Sequence, residues 1–212
     1  MRGRETALGD FLADVIRENM KTDIAFTNGG GIRINDNIPP GPITVYDMEG
    51  IFYYDNGLVS FELSGSQLLE VLKNSVSKSH LGDGRFLQIS GLRFKYHAKE
   101  SNGGYSYTID PADVAIKPRG SSVYKPLDIH KKYRVATTDF IWEKGYSDGY
   151  EIFSKGAGKS SPPRQDNSTA ASFRKTVGEA ISKLPNKTVT SQIEGRIIQQ
   201  EQKTLNKAIF KF

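Results

Sequence analysis

The segment Ile24-Ala25-Phe26-Thr27-Asn28-Gly29-Gly30-Gly31-Ile32-Arg33 limits what this chain can fold into more than any other stretch. An apolar run that stops at three glycines reads as a buried strand ending in a turn. Glycine loses more backbone freedom on folding than any other residue, so three in succession point to positive φ angles or to a ligand approaching the backbone closely. A plain structural turn is the alternative. Arg33 adds a planar fork of donors matched to phosphate or carboxylate, and Asn28 can both donate and accept. The turn is a candidate cradle for an anion or a nucleotide.

Helix and strand patterns alternate around it. Leu8, Phe11, Leu12, Val15 and Ile16 recur at spacings of three and four, which predicts a helix from Glu5 to Met20 with one face on a core. A strand over 23–27 follows. Pro39-Pro40-Gly41-Pro42 interrupts regular structure, and 45–51 reads as a short segment capped by Thr44 or Asp47. Phe52 to Gly57 reads as a loop with its rings exposed. A strand over 58–63 leads into Ser64-Gly65-Ser66-Gln67, a capping box in front of a helix carrying Leu68, Leu69, Val71, Leu72 and Val76. Further strands are predicted over 86–89, 92–96, 105–109, 113–116 and 133–138. Residues 141–147 read as a loop and 156–168 as a mobile surface loop. A helix over 169–184 ends at Pro185, a last strand covers 193–198, and the polar residues from 199 to 212 form an extension. No fixed-period repeat is present, and this alternation describes one domain mixing helices and sheets, 1–198, followed by the extension.

Composition removes several function classes. The chain has 212 residues, 37% of them hydrophobic, which suffices for an ordinary core. No apolar stretch is long enough to cross a bilayer, and Met1-Arg2-Gly3-Arg4-Glu5 leads into an amphipathic segment, not a signal sequence. With no cysteine there is neither a disulfide nor a thiolate metal site. The net charge of +5 is mild, and no dense block of Lys and Arg marks a nucleic-acid partner. The three histidines, His80, His97 and His130, lack metal-ligand spacing. A phosphate-binding Walker loop and a Gly-x-Gly-x-x-Gly fingerprint are both missing. The remaining polar and aromatic candidates form a ligand-holding set without a catalytic centre: Asn28 and Arg33, Arg2 and Arg4, the ring of Tyr54, and Phe140 followed by Asp148. Two facing rings sandwich a flat base, a carboxylate takes ribose hydroxyls, and arginines meet phosphate.

Several ordered motifs then become informative together. Arg4-Glu5-Thr6-Ala7-Leu8-Gly9-Asp10-Phe11-Leu12-Ala13-Asp14, the glycine turn, Gly84-Arg85-Phe86-Leu87-Gln88-Ile89-Ser90-Gly91-Leu92, Thr138-Asp139-Phe140 with Ser147-Asp148-Gly149-Tyr150, and Glu194-Gly195-Arg196-Ile197 resemble the C-terminal domain of the 5′-nucleotidase family. The resemblance runs from about Arg2 to Ile198. It implies an α+β fold, a mixed α/β sandwich with inner β-sheets covered by outer helices, and a substrate-binding role. It also implies two divalent metal ions on a separate N-terminal metallophosphoesterase domain, none in this chain, and an extracellular or periplasmic location. By motif, Arg2, Asn28 and Arg33 would contact phosphate and sugar. Tyr54 and Phe140 would stack on the base, Asn56 would match the asparagine after the first ring, and Asp148 would bind ribose. Two departures stand out: Phe52-Tyr53-Tyr54-Asp55-Asn56 replaces the usual Pro-Phe pair, and Tyr146-Ser147 stands where Gly-Gly is usual, in a longer loop. The parent enzyme would hydrolyse nucleotides to nucleoside and phosphate, while the isolated chain would bind without hydrolysing. Alternatives are a parent acting on 2′,3′-cyclic nucleotides or UDP-sugars, and a non-catalytic binding or scaffold module.

Overall fold

The computed structural model describes residues 1–33, 39–101, 104–154, 163–169, 171–190 and 192–201. Thr6 caps α1 (Ala7–Met20) by accepting the Gly9 N–H, and the helix leads into β1 (Ile24–Asn28). Thr44 and Asp47 form a reciprocal capping box on α2 (Val45–Ile51). β2 (Leu58–Ser64) passes into α3 (Gly65–Val76) through the box of Ser64 and Gln67. Then come β3 (Leu87–Ser90), β4 (Leu92–Ser101), β5 (Gly104–Thr108), β6 (Val114–Ile116), β7 (Lys125–Pro126) and β8 (Lys132–Thr138). α4 (Asp139–Lys144), β9 (Gln165–Ser168), α5 (Phe173–Lys183) and β10 (Ile197–Glu201) complete the chain.

The strands form two mixed sheets. One has the order β3-β1-β8-β2-β9 and the other β10-β4-β6-β7, with β5 paired to β4. Period-two alternation divides the first sheet between two cores. Ile24, Phe26, Val59, Phe61, Leu63 and Val135 face α3 and the second sheet, whereas Ala25, Leu58 and Ala136 face Leu12, Ile16, Phe173 and Val177 of α1 and α5. The expected sandwich, sheets inside and helices outside, is the observed architecture.

Three segments differ from the sequence reading. Residues 141–147 are not a loop: α4 continues into a 3-10 turn, Gly145–Asp148. Within 156–168, the described residues include β9, an edge strand on β2, while 155–162 lie outside the described residues. The last strand begins later than expected and reaches Glu201, pairing in parallel with Phe94 to Ala98, so the first residues assigned to the extension belong to a sheet. Residues 202–212 lie outside the described residues.

A buried ionic cluster fastens the two ends of the chain. Glu5, 5% exposed, accepts the N–H groups of Glu194 at 2.9 Å and Ile197 at 2.8 Å. Arg196, equally buried, forks onto both carboxylate oxygens of Asp14 at 2.8 and 2.7 Å and onto the Ile89 carbonyl at 2.7 Å. Asp10 is 1% exposed, and neither of its carboxyl oxygens has a hydrogen-bond donor. The Glu5 carboxyl is beside it, but two carboxylates are both acceptors, so a bond forms between them only when one holds a proton. Burial, then that neighbour, pushes the Asp10 pKa up to about 8 against the pull of Arg196. Burial also disfavours the charge on Glu5, but its backbone hydrogen bonds outweigh this and leave its pKa lowered.

Two outcomes follow from this cluster. Arg196→Ala removes the forked bonds to Asp14 and leaves the buried Ile89 carbonyl without this donor, and is expected to cost about 1–3 kcal/mol in urea denaturation. Because folded Asp10 holds its proton and unfolded Asp10 does not, its contribution to stability falls as pH rises from the ordinary carboxylate range towards about 8. Asp10→Asn, whose amide donates to Glu5 at every pH, should flatten that decline. A denaturation series from weakly acidic to weakly alkaline pH measures it.

Candidate functional site

The parallel pairing of β1 and β8, Ala25 level with Ala136, brings the carboxyl ends of both strands out at one edge of the first sheet. β2 and β3 run the other way and begin there, Leu58 opposite Thr138 and Leu87 opposite Asn28. Ligands of open α/β sheets gather at such carboxyl ends. The loops at this edge carry the sequence candidates.

Asn28 ends β1 and is buried at 4% exposure. The glycines after it have no positive φ, and what approaches their backbone is the chain itself. Gly29 donates to the Phe86 carbonyl at 2.7 Å and Gly30 to the Gly84 carbonyl at 2.9 Å. A Cβ on Gly29 would collide with the Met1 carbonyl oxygen, and one on Gly30 would stand 2.9 Å from the Gly84 Cα. The glycine run thus lets the N-terminal segment and the 83–86 turn close on it from two sides. The Gln88 amide donates to the carbonyls of Met1 at 3.1 Å and Arg4 at 2.9 Å, which sets half-buried Arg2 beside the same turn.

Arg33 is exposed, anchored by its N–H to the Ile51 carbonyl at 3.0 Å, with its guanidinium 5.9 Å from the centroid of Tyr54. In the aromatic run only Tyr53 and Tyr54 are exposed. Phe52 is buried edge-on against Phe173 at 4.9 Å, because the hydrophobic layer under α5 takes it in. The Asn56 carbonyl accepts the Phe173 N–H at 2.7 Å. Phe140, the second expected ring, is half-buried in α4 and packs on the main core. Among the described residues no ring contact joins it to Tyr54; the Tyr54 ring meets Tyr53 edge-on at 5.2 Å.

Asp148 ends the helical arm that Phe140 begins. The Asn74 amide donates to its carbonyl at 3.0 Å. Burial, then the carboxylate of Asp83, raises its side-chain pKa, and Arg85 opposes the shift. Arg85 is itself held, its Nε on Asp83 at 3.1 Å and its Nη1 on the Asn74 side chain at 3.3 Å. A cavity of about 260 Å³ lined by Asn74, Gly149 and Tyr150 opens next to Asp148. A larger one, about 860 Å³, lies elsewhere, between Phe11 and Asp14 of α1 and the 184–194 segment.

The structure therefore gathers Arg2, Asn28 and Arg33 at one turn and carries Tyr54 and Asn56 on the 52–57 loop and Phe140 at the start of α4, all at the same edge. Asp148 stands at the other end of the arm, with Arg85 and Asn74. Asn74 carries no sequence signal, whereas Arg85 and Asp139, whose carboxylate bonds to Gly57, both lie in the family-like motifs without a role assigned to them there. Among the described residues no group of three or more His, Asp or Glu is arranged to hold a metal ion.

The described residues define a two-sheet α+β domain with arginines, amides and aromatic rings at one sheet edge. The family model described as 5′-nucleotidase, C-terminal domain matches residues 1–155, and the chain belongs to that family. It is 31% identical over 210 residues to the trifunctional nucleotide phosphoesterase protein YfkN of Bacillus subtilis, an alignment covering 93% of this chain and 12% of that protein. A crystal structure of a 5′-nucleotidase precursor from Thermus thermophilus superposes with a TM-score of 0.76 at 32% identity, over 93% of this chain and 36% of that one. The Haemophilus influenzae NAD nucleotidase has the same fold, with a TM-score of 0.71 at 20% identity, over 92% of this chain and 33% of that one. The chain thus spans well under half the length of these relatives.

The electrostatics around Asp148 can be read directly. Carboxyl titration by nuclear magnetic resonance should place Asp148 above an ordinary aspartate, Asp83→Asn should lower its pKa, and Arg85→Gln should raise it further.

Proposed function

We propose that this chain is the substrate-binding part of a phosphoesterase that hydrolyses nucleotides to nucleoside and phosphate. Arg2 and Arg33 face the phosphate, Asn28 meets phosphate and sugar, Tyr54 and Phe140 stack on the base, Asn56 borders the first ring, and Asp148 accepts from the ribose hydroxyls. The observation that supports this reading is that the glycine turn, the 52–57 loop and the start of α4 emerge at the edge where β1 and β8 end, with the Arg33 guanidinium 5.9 Å from the Tyr54 ring. Arginine suits the phosphate end because its fork of donors is fixed and always charged. Aromatic rings suit the base end because stacking is worth roughly 1–3 kcal/mol per base and tolerates any base.

On this reading, the phosphoester chemistry would belong to an N-terminal metallophosphoesterase domain with two divalent ions, as the family resemblance implies. This chain would bind and orient the nucleotide for it. Its nucleotide phosphoesterase and 5′-nucleotidase relatives support a nucleotide substrate, and the venom 5′-nucleotidase of Naja atra, 24% identical over 202 residues, supports a place outside the cytoplasm. Among the described residues no helix is long and apolar enough to cross a membrane.

Calorimetric titration of adenosine and AMP into the chain tests the reading. Both should bind, AMP more tightly, without release of phosphate. Phe140→Ala should weaken both by about five- to a hundredfold, the equivalent of one lost stack. Absence of binding by the unaltered chain would overturn the proposal.

A further inference from the structure

The side chain of Asp139 makes a contact that helix geometry does not require. It stands at the first position of α4, where a carboxylate usually faces the free amides of its own helix or solvent. Here Oδ2 instead accepts the N–H of Gly57 at 2.8 Å, while the Asp139 N–H donates to the Gly57 carbonyl at 3.0 Å. This two-way bond joins residues 82 apart in sequence. Gly57 leaves room for it, since a Cβ there would lie 3.1 Å from the same oxygen.

The bond joins the two segments that carry the exposed ring of Tyr54 and the ring of Phe140. The 52–57 loop is fixed at its start by buried Phe52 and at its end by Gly57 and the Asn56 carbonyl, leaving Tyr53, Tyr54 and Asp55 exposed between the anchors. Phe140 is the residue immediately after Asp139. A base entering between two rings requires their separation to be set beforehand, because ordering a loop at the moment of binding subtracts from affinity.

Resting on the reading of this edge as a nucleotide site, we propose that Asp139 is a positioning residue that sets the spacing of Tyr54 and Phe140 by pinning Gly57. It touches no ligand. Its effect is confined to the base, because Arg2, Asn28 and the 83–86 turn are held by other contacts, among them Gln88 on Met1 and Arg4 and the Gly29 and Gly30 amides on Phe86 and Gly84.

The test titrates AMP and ribose 5-phosphate into the chain and into Asp139→Ala, Asp139→Asn and Phe140→Ala. Asp139→Ala should lose about tenfold in affinity for AMP, the size of one weakened base–ring stack, with ribose 5-phosphate unchanged. Asp139→Asn keeps an acceptor for the Gly57 N–H and should recover most of the loss. Loss of AMP binding in Phe140→Ala but not in Asp139→Ala overturns this role and leaves the nucleotide site standing. Equal losses for both ligands in a folded Asp139→Ala, or no recovery in Asp139→Asn, also overturn it. Failure of the unaltered chain to bind AMP overturns the site itself and the role with it.

Discussion

The parallel pairing of β1 and β8 is the constraint on which the rest depends. It joins residues more than a hundred positions apart, and it is reinforced by the Thr137 hydroxyl on the Phe26 carbonyl at 2.8 Å. Parallel neighbours cannot be connected by a tight turn, so everything between them must be folded elsewhere before the chain returns. That intervening chain includes α2, β2, α3 and most of the second sheet. Because both strands end at the same edge, the glycine turn and the helical arm emerge together, and the site is a product of this one pairing.

The same edge contains two kinds of polar group. Gln88 and Asp139 bond backbone partners and set positions, while Arg33 and Tyr54 are exposed. The glycines serve the first kind. They admit the N-terminal segment and the 83–86 turn so closely that Arg2 and Arg85 flank a turn to which neither is near in sequence.

Elements whose signal is local were legible in the sequence. The capping box of Ser64 with Gln67 needs only four neighbouring residues, Thr44 and Asp47 are alternative caps by sequence and form a second box together, and the apolar stripes of α1 and α3 need only their own period. The missed elements are ordered from a distance. α4 has six residues and a Thr138 cap that makes no side-chain bond, so it depends on buried Ile141 and on the Asp139 contact. β9 is Gln-Asp-Asn-Ser, without apolar period, and exists only through pairing with β2. In the candidate site, residue types at the ends of strands were legible because turns and family motifs mark them. Asn74 on Asp148 and Asp139 on Gly57 were not, since a hydrogen bond between distant residues leaves no periodic trace.

Glu5 meets Glu194 and Ile197 across 189 and 192 positions, nearly the full described length. Closing so long a loop costs chain entropy that the latch alone does not repay. The latch also makes the start and the last described strand of the chain mechanically one place. A chain cut just before Glu194 loses no part of α1, yet it strips Glu5 of its amides and Asp10 and Asp14 of their guanidinium, leaving three carboxyl groups together under the first helix. Damage to the tail would therefore be felt first at the head, as fraying of α1 from the sheet it covers.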